Sequence, residues 1–112
     1  MNRISTHILD LTRGKPAGSV PVRLDRQENE DWRPVGSALT DKDGRCGQLL
    51  PDDSLPPGLY RLHFDIESYF AQQKIQALYP AVEVTFQVRD GESQFHIPLL
   101  LSANGYTTYR GS

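Results

Sequence analysis

A chain of 112 residues with 38% hydrophobic residues and a formal net charge of −2 is the size of one ordinary domain with a modest core. Its near-neutral balance and pI near 5.8 give no broad field to draw nucleic acid or an anionic bilayer, and no apolar run approaches the ~20 residues that span one. A single cysteine, Cys46, excludes a disulfide within the chain and a Cys-rich metal site, and Met1 to Thr6 lacks the apolar stretch of a secretory signal; the expectation is a soluble, cytoplasmic single domain over 1–112.

In chain order, residues 4–12 come first. Ile4, Thr6 and Ile8 oppose Ser5, His7, Leu9 and Leu11, a strand apolar on both faces. After the turn cluster Gly14-Lys15-Pro16, Val20, Val22 and Leu24 alternate with Pro21, Arg23 and Asp25 as a strand with one wet face. The cluster Asp41-Lys42-Asp43-Gly44 reads as a tight turn delivering Arg45, then Cys46, for which core packing is the expectation. Past Pro56-Pro57-Gly58, Tyr60, Leu62 and Phe64 alternate with Arg61, His63 and Asp65. Ile66, Tyr69 and Phe70 then sit at i, i+3 and i+4, so residues 66–74 are expected to form a short helix capped by Asp65. Residues 82–89 alternate without an error, and Asp90-Gly91 turns the chain. Residues 94–102 carry Phe95, Ile97, Leu99 and Leu101 on one face and Gln94, His96, Pro98 and Leu100 on the other, which is too apolar for a wet face. Asn104-Gly105 makes the last turn, and the tail Tyr106-Thr107-Thr108-Tyr109-Arg110-Gly111-Ser112 has the composition of a strand tied into a sheet or interface. Short strands separated by regular turn signals predict an all-β antiparallel sandwich or barrel.

The two strands apolar on both faces require a second cover, which in so small a sandwich points to another subunit. Each carries one histidine among aliphatic neighbours, His7 with Leu9 and Leu11, and His96 with Pro98 and Leu100. A mostly dry face with one titratable group has the composition of a ligand or catalytic pocket. Two readings stay open on spacing alone: a general acid–base pair, or histidines that hydrogen-bond neighbours at an interface. His63 lies on a polar face and reads as solvated, turned from the other two as a three-histidine zinc site does not allow. Arg45 is either a solvated turn residue or a fixed guanidinium suited to a developing oxyanion, a part Arg110 is equally able to play.

Four stretches resemble the 5-hydroxyisourate hydrolases, enzymatic relatives of transthyretin: Ser5-Thr6-His7-Ile8-Leu9-Asp10-Leu11-Thr12 with Gly14-Lys15-Pro16-Ala17, Thr40 through Arg45, His96-Ile97-Pro98-Leu99-Leu100-Leu101-Ser102, and the terminal Tyr109-Arg110-Gly111-Ser112. The hormone-carrying transthyretins are similar in fold but lack that tetrapeptide and the histidines matching His7 and His96. The resemblance covers the whole chain and is weakest over residues 27–39. It implies a transthyretin-like β-sandwich of two four-stranded sheets with one short helix, assembled as a homotetramer, a dimer of dimers with active sites in the channel between them. The implied reaction is hydrolysis of 5-hydroxyisourate to 2-oxo-4-hydroxy-4-carboxy-5-ureidoimidazoline, with no metal or organic cofactor. His7 and His96 would activate water and carry the proton, Arg45 would bind carbonyl oxygens, and the tail would close the pocket. Tyr109 and Arg110 would touch substrate, and Ser112 would supply a hydroxyl or carboxylate. The alternatives are a non-catalytic carrier of a small aromatic ligand and a purely structural sandwich.

Overall fold

The computed structural model describes residues 3–50 and 55–111. Its strands are β1 (Arg3–Asp10), β2 (Lys15–Pro16), β3 (Pro21–Glu28), β4 (Asp31–Leu39), β5 (Arg45–Cys46), β6 (Gly58–Asp65), β7 (Ala81–Val88), β8 (Gln94–Ser102) and β9 (Gly105–Thr108), with one helix, α1 (Ile66–Ala71), between β6 and β7. They form a sandwich of two sheets, as expected. One has the order β4-β3-β6-β7; the other runs β2-β1-β8-β9 with the short β5 also on β1, giving five strands in place of four.

Alternation decides which side chains go inward. Tyr60, Leu62 and Phe64 of β6, Val22 and Leu24 of β3, and Val82 and Val88 of β7 face Ile4 and Ile8 of β1 and Phe95, Ile97, Leu99 and Leu101 of β8, all buried. Burying one such large aliphatic or aromatic side chain is worth about 1.5–3 kcal/mol. The outer faces differ. On the β4-β3-β6-β7 sheet the outer face carries an ionic ladder: Asp25 is forked by Arg23 at 2.8 Å and Arg61 at 3.0 Å, and His63 meets Glu83 at 3.1 Å. Burial alone would push the Asp25 carboxyl up, but hydrogen bonds from Arg23 and Arg61 hold it below the usual carboxylate range. On the other sheet, Leu9 and Leu100 are half-buried and Leu11 is 59% exposed, an apolar stretch left partly open to solvent among the described residues.

Two local features went unread and one reading is corrected. Residues 31–39 form a full strand, β4, joined to β3 by a two-residue loop in which Asn29 (φ 57°) and Glu30 (φ 90°) both take the left-handed conformation of a hairpin turn. Leu24 pairs with Gly36 while Asp25 pairs with Pro34, so Val35 is an extra residue and the period of two is broken within the strand. Finally, α1 ends at Ala71 rather than Lys74: Lys74 sits at φ 59°, and the Ile75 and Lys74 amides turn back to the Phe70 and Ala71 carbonyls. Asp65 caps the helix as expected, accepting from the Ser68 amide.

The topological fact that matters for the site is the β1–β8 pair. Paired residues of these strands are 91 positions apart and the strands run parallel, with Ser5 opposite His96, His7 opposite Pro98 and Leu9 opposite Leu100. A parallel pair needs a long connection, and here the entire second sheet and helix supply it. Asp10 anchors the end of β1: one carboxylate oxygen accepts from the Thr12 and Arg13 amides, the other from the Tyr69 hydroxyl of α1 at 2.7 Å.

Candidate functional site

Arg45 is placed by its turn. The Gly44 amide donates to the Asp41 carbonyl and the Asp41 amide to the Arg45 carbonyl, both at 2.9 Å, while Asp41 Oδ1 accepts from the Asp43 and Arg45 amides. Backbone donation from Arg45 is the largest reason the Asp41 carboxyl lies below its ordinary range. Gly44 (φ 77°) has no room for a side chain, since a Cβ would lie 2.4 Å from the Ile8 carbonyl oxygen. That contact is the turn docking on β1, where the Ile8 amide donates to the Gly44 carbonyl at 2.8 Å. The chain then runs antiparallel to β1 with Arg45 directly opposite His7.

His96 arrives from the other side of β1. Because Ser5, His7 and His96 share side-chain parity across the parallel register, all three project from the outer face of the same sheet. Ser5 Oγ and His96 Nδ1 are 2.9 Å apart. The tail returns over the ring: the Gly111 amide donates to the His96 carbonyl at 2.7 Å, and a Cβ on Gly111 would lie 2.6 Å from His96 Cδ2. Only glycine lets the backbone lie this close to the imidazole. Burial, then the nearby His7 and Arg45 charges, lower the His96 pKa below its ordinary value, so the ring is neutral at neutral pH.

Ser5, Arg45 and His96 border an open cleft of about 650 Å³ whose walls also include Gln48, Gln94, Arg110 and Gly111, while His7 is not among its walls. That volume lies within the usual range for small-molecule sites, about 300–1,000 Å³. Arg110 lines the cleft but is already engaged: Nη1 pairs with Glu92 at 3.3 Å, Nη2 donates to the Gln94 carbonyl at 3.4 Å, and its carbon lies 4.5 Å over the Phe95 ring. Backbone donation from Arg89, with the Arg110 hydrogen bond, keeps the Glu92 carboxyl low and charged.

Of the residues singled out from sequence, His7, Arg45 and His96 come together on one face, with Arg110 at the cleft edge. Tyr109 is 54% exposed and is not among the cleft walls of the single chain. Ser112 lies outside the described residues. His63 is on the opposite sheet, paired with Glu83, so the three histidines are not gathered. Cys46 is buried and burial raises its thiol pKa, in keeping with a packed, inert residue, although it also reaches the cleft wall. Sequence reasoning passed over Ser5, Gln48 and Gln94. Only the β1–β8 register makes Ser5 the side-by-side neighbour of His96, and no local pattern encodes a parallel pair.

The family model described as HIUase/Transthyretin matches residues 4–111. A 5-hydroxyisourate hydrolase of Mus musculus is 42% identical over 97% of this chain and 94% of its own length. Among solved structures, 5-hydroxyisourate hydrolase of Klebsiella pneumoniae is 33% identical, covers 100% of both chains and superposes with a TM-score of 0.88. Transthyretin from Sparus aurata is 30% identical over 96% of this chain and 95% of its own, with a TM-score of 0.90.

Proposed function

The chain belongs to the HIUase/Transthyretin family, and from that premise we propose that it hydrolyses 5-hydroxyisourate to 2-oxo-4-hydroxy-4-carboxy-5-ureidoimidazoline, in the degradation of urate. The observation that carries the reading is that Arg45 and His96 border one cleft while His7, paired with Arg45 across the ladder, projects from the same face of the sheet. Those groups are what a hydrolysis at a carbonyl needs: a base that is free to accept a proton and a cation for the oxygen that becomes negative.

The geometry supports the following sequence of events. The ring of 5-hydroxyisourate lies in the cleft with a carbonyl oxygen toward the Arg45 guanidinium, whose planar fork binds an oxyanion more strongly than a neutral carbonyl. His96 takes a proton from a water molecule as the water oxygen bonds to the carbonyl carbon. The ring C–N bond then breaks, its electron pair goes to nitrogen, and the proton passes to that nitrogen from the imidazolium, with His7 as relay. The products are a carboxylate and a freed ureido nitrogen. Because the substrate carbonyl is already electrophilic, positioning and charge stabilisation supply most of the catalysis. Generating 5-hydroxyisourate in place with urate oxidase and following its ultraviolet decay tests the function. Decay accelerated in proportion to added protein is the expected result. Saturable binding of the compound without acceleration would instead make the chain a carrier.

The proposed assembly is a homotetramer, a dimer of dimers whose contact covers the apolar outer face at Leu9, Leu11 and Leu100. What supports it is the contrast between that face and the ionic outer face of the other sheet. Light scattering should give a mass near 50 kDa, four times the 12.6 kDa chain, and Leu100→Glu should shift it toward smaller species. A fully active wild-type monomer would remove the need for that cover. The proposed compartment is the cytoplasm, where the unpaired Cys46 stays reduced.

A further inference from the structure

We propose that Ser5 is a positioning residue for the hydrolysis: its hydroxyl accepts the Nδ1 proton of His96, and so fixes the tautomer and ring plane that present a bare Nε2 to the cleft. The inference rests on the hydrolase reading for its consequence, though not for its geometry.

Three observations converge on the ring. Ser5 and His96 are directly paired across the parallel β1–β8 ladder, so their side chains rise side by side from the same face. The Oγ–Nδ1 distance is 2.9 Å, a full hydrogen bond. On the other side of the ring, the Gly111 backbone packs against Cδ2, leaving no room for even a methyl group. With Nδ1 engaged and Cδ2 covered, Nε2 is the nitrogen left to meet substrate or water, and His96, Ser5 and Gly111 all border the cleft. In a neutral imidazole one nitrogen carries the proton and the other the lone pair, and the partner of the first decides which is which. A hydroxyl can donate or accept; with Ser5 in the proposed role of acceptor, the proton sits on Nδ1 and the lone pair on Nε2.

Serine suits the part for a second reason. The groups around the imidazole are Ser5 and His7 from β1, Arg45 from β5, and Gly111 and Arg110 from the tail, the last tied to Glu92. Among the described residues no carboxylate hydrogen-bonds to the ring. A carboxylate at the Ser5 position would orient the ring equally well but would also stabilise the imidazolium and lift its pKa. The neutral hydroxyl orients without that penalty, in agreement with the downward shift that burial, His7 and Arg45 produce.

The test uses the full chain with Ser5→Ala, Ser5→Thr and Ser5→Asp, read by ¹⁵N-histidine NMR of His96 and by the pH dependence of 5-hydroxyisourate turnover. Wild type and Ser5→Thr should show the Nδ1–H tautomer and closely similar rates. Ser5→Ala should show a mixed tautomer and lose on the order of tenfold in kcat with KM little changed, the usual worth of one hydrogen bond in a rate. Ser5→Asp should keep the Nδ1–H tautomer, raise the His96 pKa and carry the acid limb of the rate profile upward with it. An unchanged tautomer and acid limb in Ser5→Ala would overturn the proposal. So would equal loss of activity in Ser5→Ala and Ser5→Thr with the tautomer intact, which would mark a packing role. The NMR result stands apart from turnover: a wild-type chain without hydrolysis, but with its tautomer set by Ser5, would sink the hydrolase reading and leave the positioning intact.

Discussion

His96→Asn should lower the turnover of 5-hydroxyisourate by roughly 10²-fold or more, and His7→Asn by a similar factor, the usual worth of general acid–base catalysis. Neither change should unfold the sandwich. Both rings project from the outer face, away from the buried layer of Ile4, Ile8, Ile97 and Leu99. The pH profile separates the two roles. In its proposed role as base His96 must be neutral, and its pKa is lowered, first by burial and then by His7 and Arg45. The neutral form is therefore present above that lowered pKa, and the wild-type rate should be level near neutrality and fall only as pH drops through it, below the ordinary histidine value of about 6.5. In His96→Asn that acid limb should vanish from whatever rate remains. A variant with near-wild-type rates would return its histidine to an interface hydrogen bond, and a wild-type rate that kept its full value down to pH 5 with a titrating His96 would remove that ring as the base.

What the sequence made legible follows from the range of the interactions. Val82, Val84, Phe86 and Val88 alternate because one face of β7 meets the core and one meets water, and nothing in that strand interrupts the period. β4 escaped notice although it is as long, because the bulge at Val35 shifts its parity midway and Pro34 reads as a breaker. The end of α1 was misjudged for a related reason: Lys74 takes the left-handed position that glycine usually marks, so no stop signal was printed in the sequence. At the site, His7 and His96 stood out because each breaks the hydrophobic pattern of its own strand. Ser5 did not, since a serine on a strand face is unremarkable until the partner strand is known. Arg110 was given a substrate role from its planar guanidinium and from the resemblance of the terminal tetrapeptide; the Glu92, Gln94 and Phe95 contacts also make it a fastening for the tail, and only the folded chain brings those residues to it.

That fastening leads to the largest expected effect outside the histidines. Deleting Tyr109 through Ser112 should remove most hydrolysis and leave the fold in place. The last strand keeps its ladder without these residues, since Thr108, Thr107, Tyr106 and Gly105 pair with Leu99, Leu100, Leu101 and Ser102, and the Thr108 hydroxyl donates to the Pro98 carbonyl at 2.7 Å. What the deletion takes away is local to the His96 ring: the Gly111 amide on the His96 carbonyl, the backbone over Cδ2, and the Arg110 anchor that holds both there. An uncovered His96 is better solvated, so its pKa should move back up toward the ordinary value, and the acid limb of any residual activity should rise with it. Gly111→Ala asks the same question with one methyl group. Its Cβ would fall 2.6 Å from the ring carbon, so the ring or the tail must shift, and a displacement near 1 Å at a catalytic group costs about 10²-fold in rate. Circular dichroism and thermal melting should stay close to wild type in both variants while initial rates collapse. If instead truncated and Gly111→Ala proteins hydrolysed 5-hydroxyisourate at the native rate, the tail would be no more than a strap across the sheet edge. Catalysis would then rest on His7, Arg45 and His96 without it.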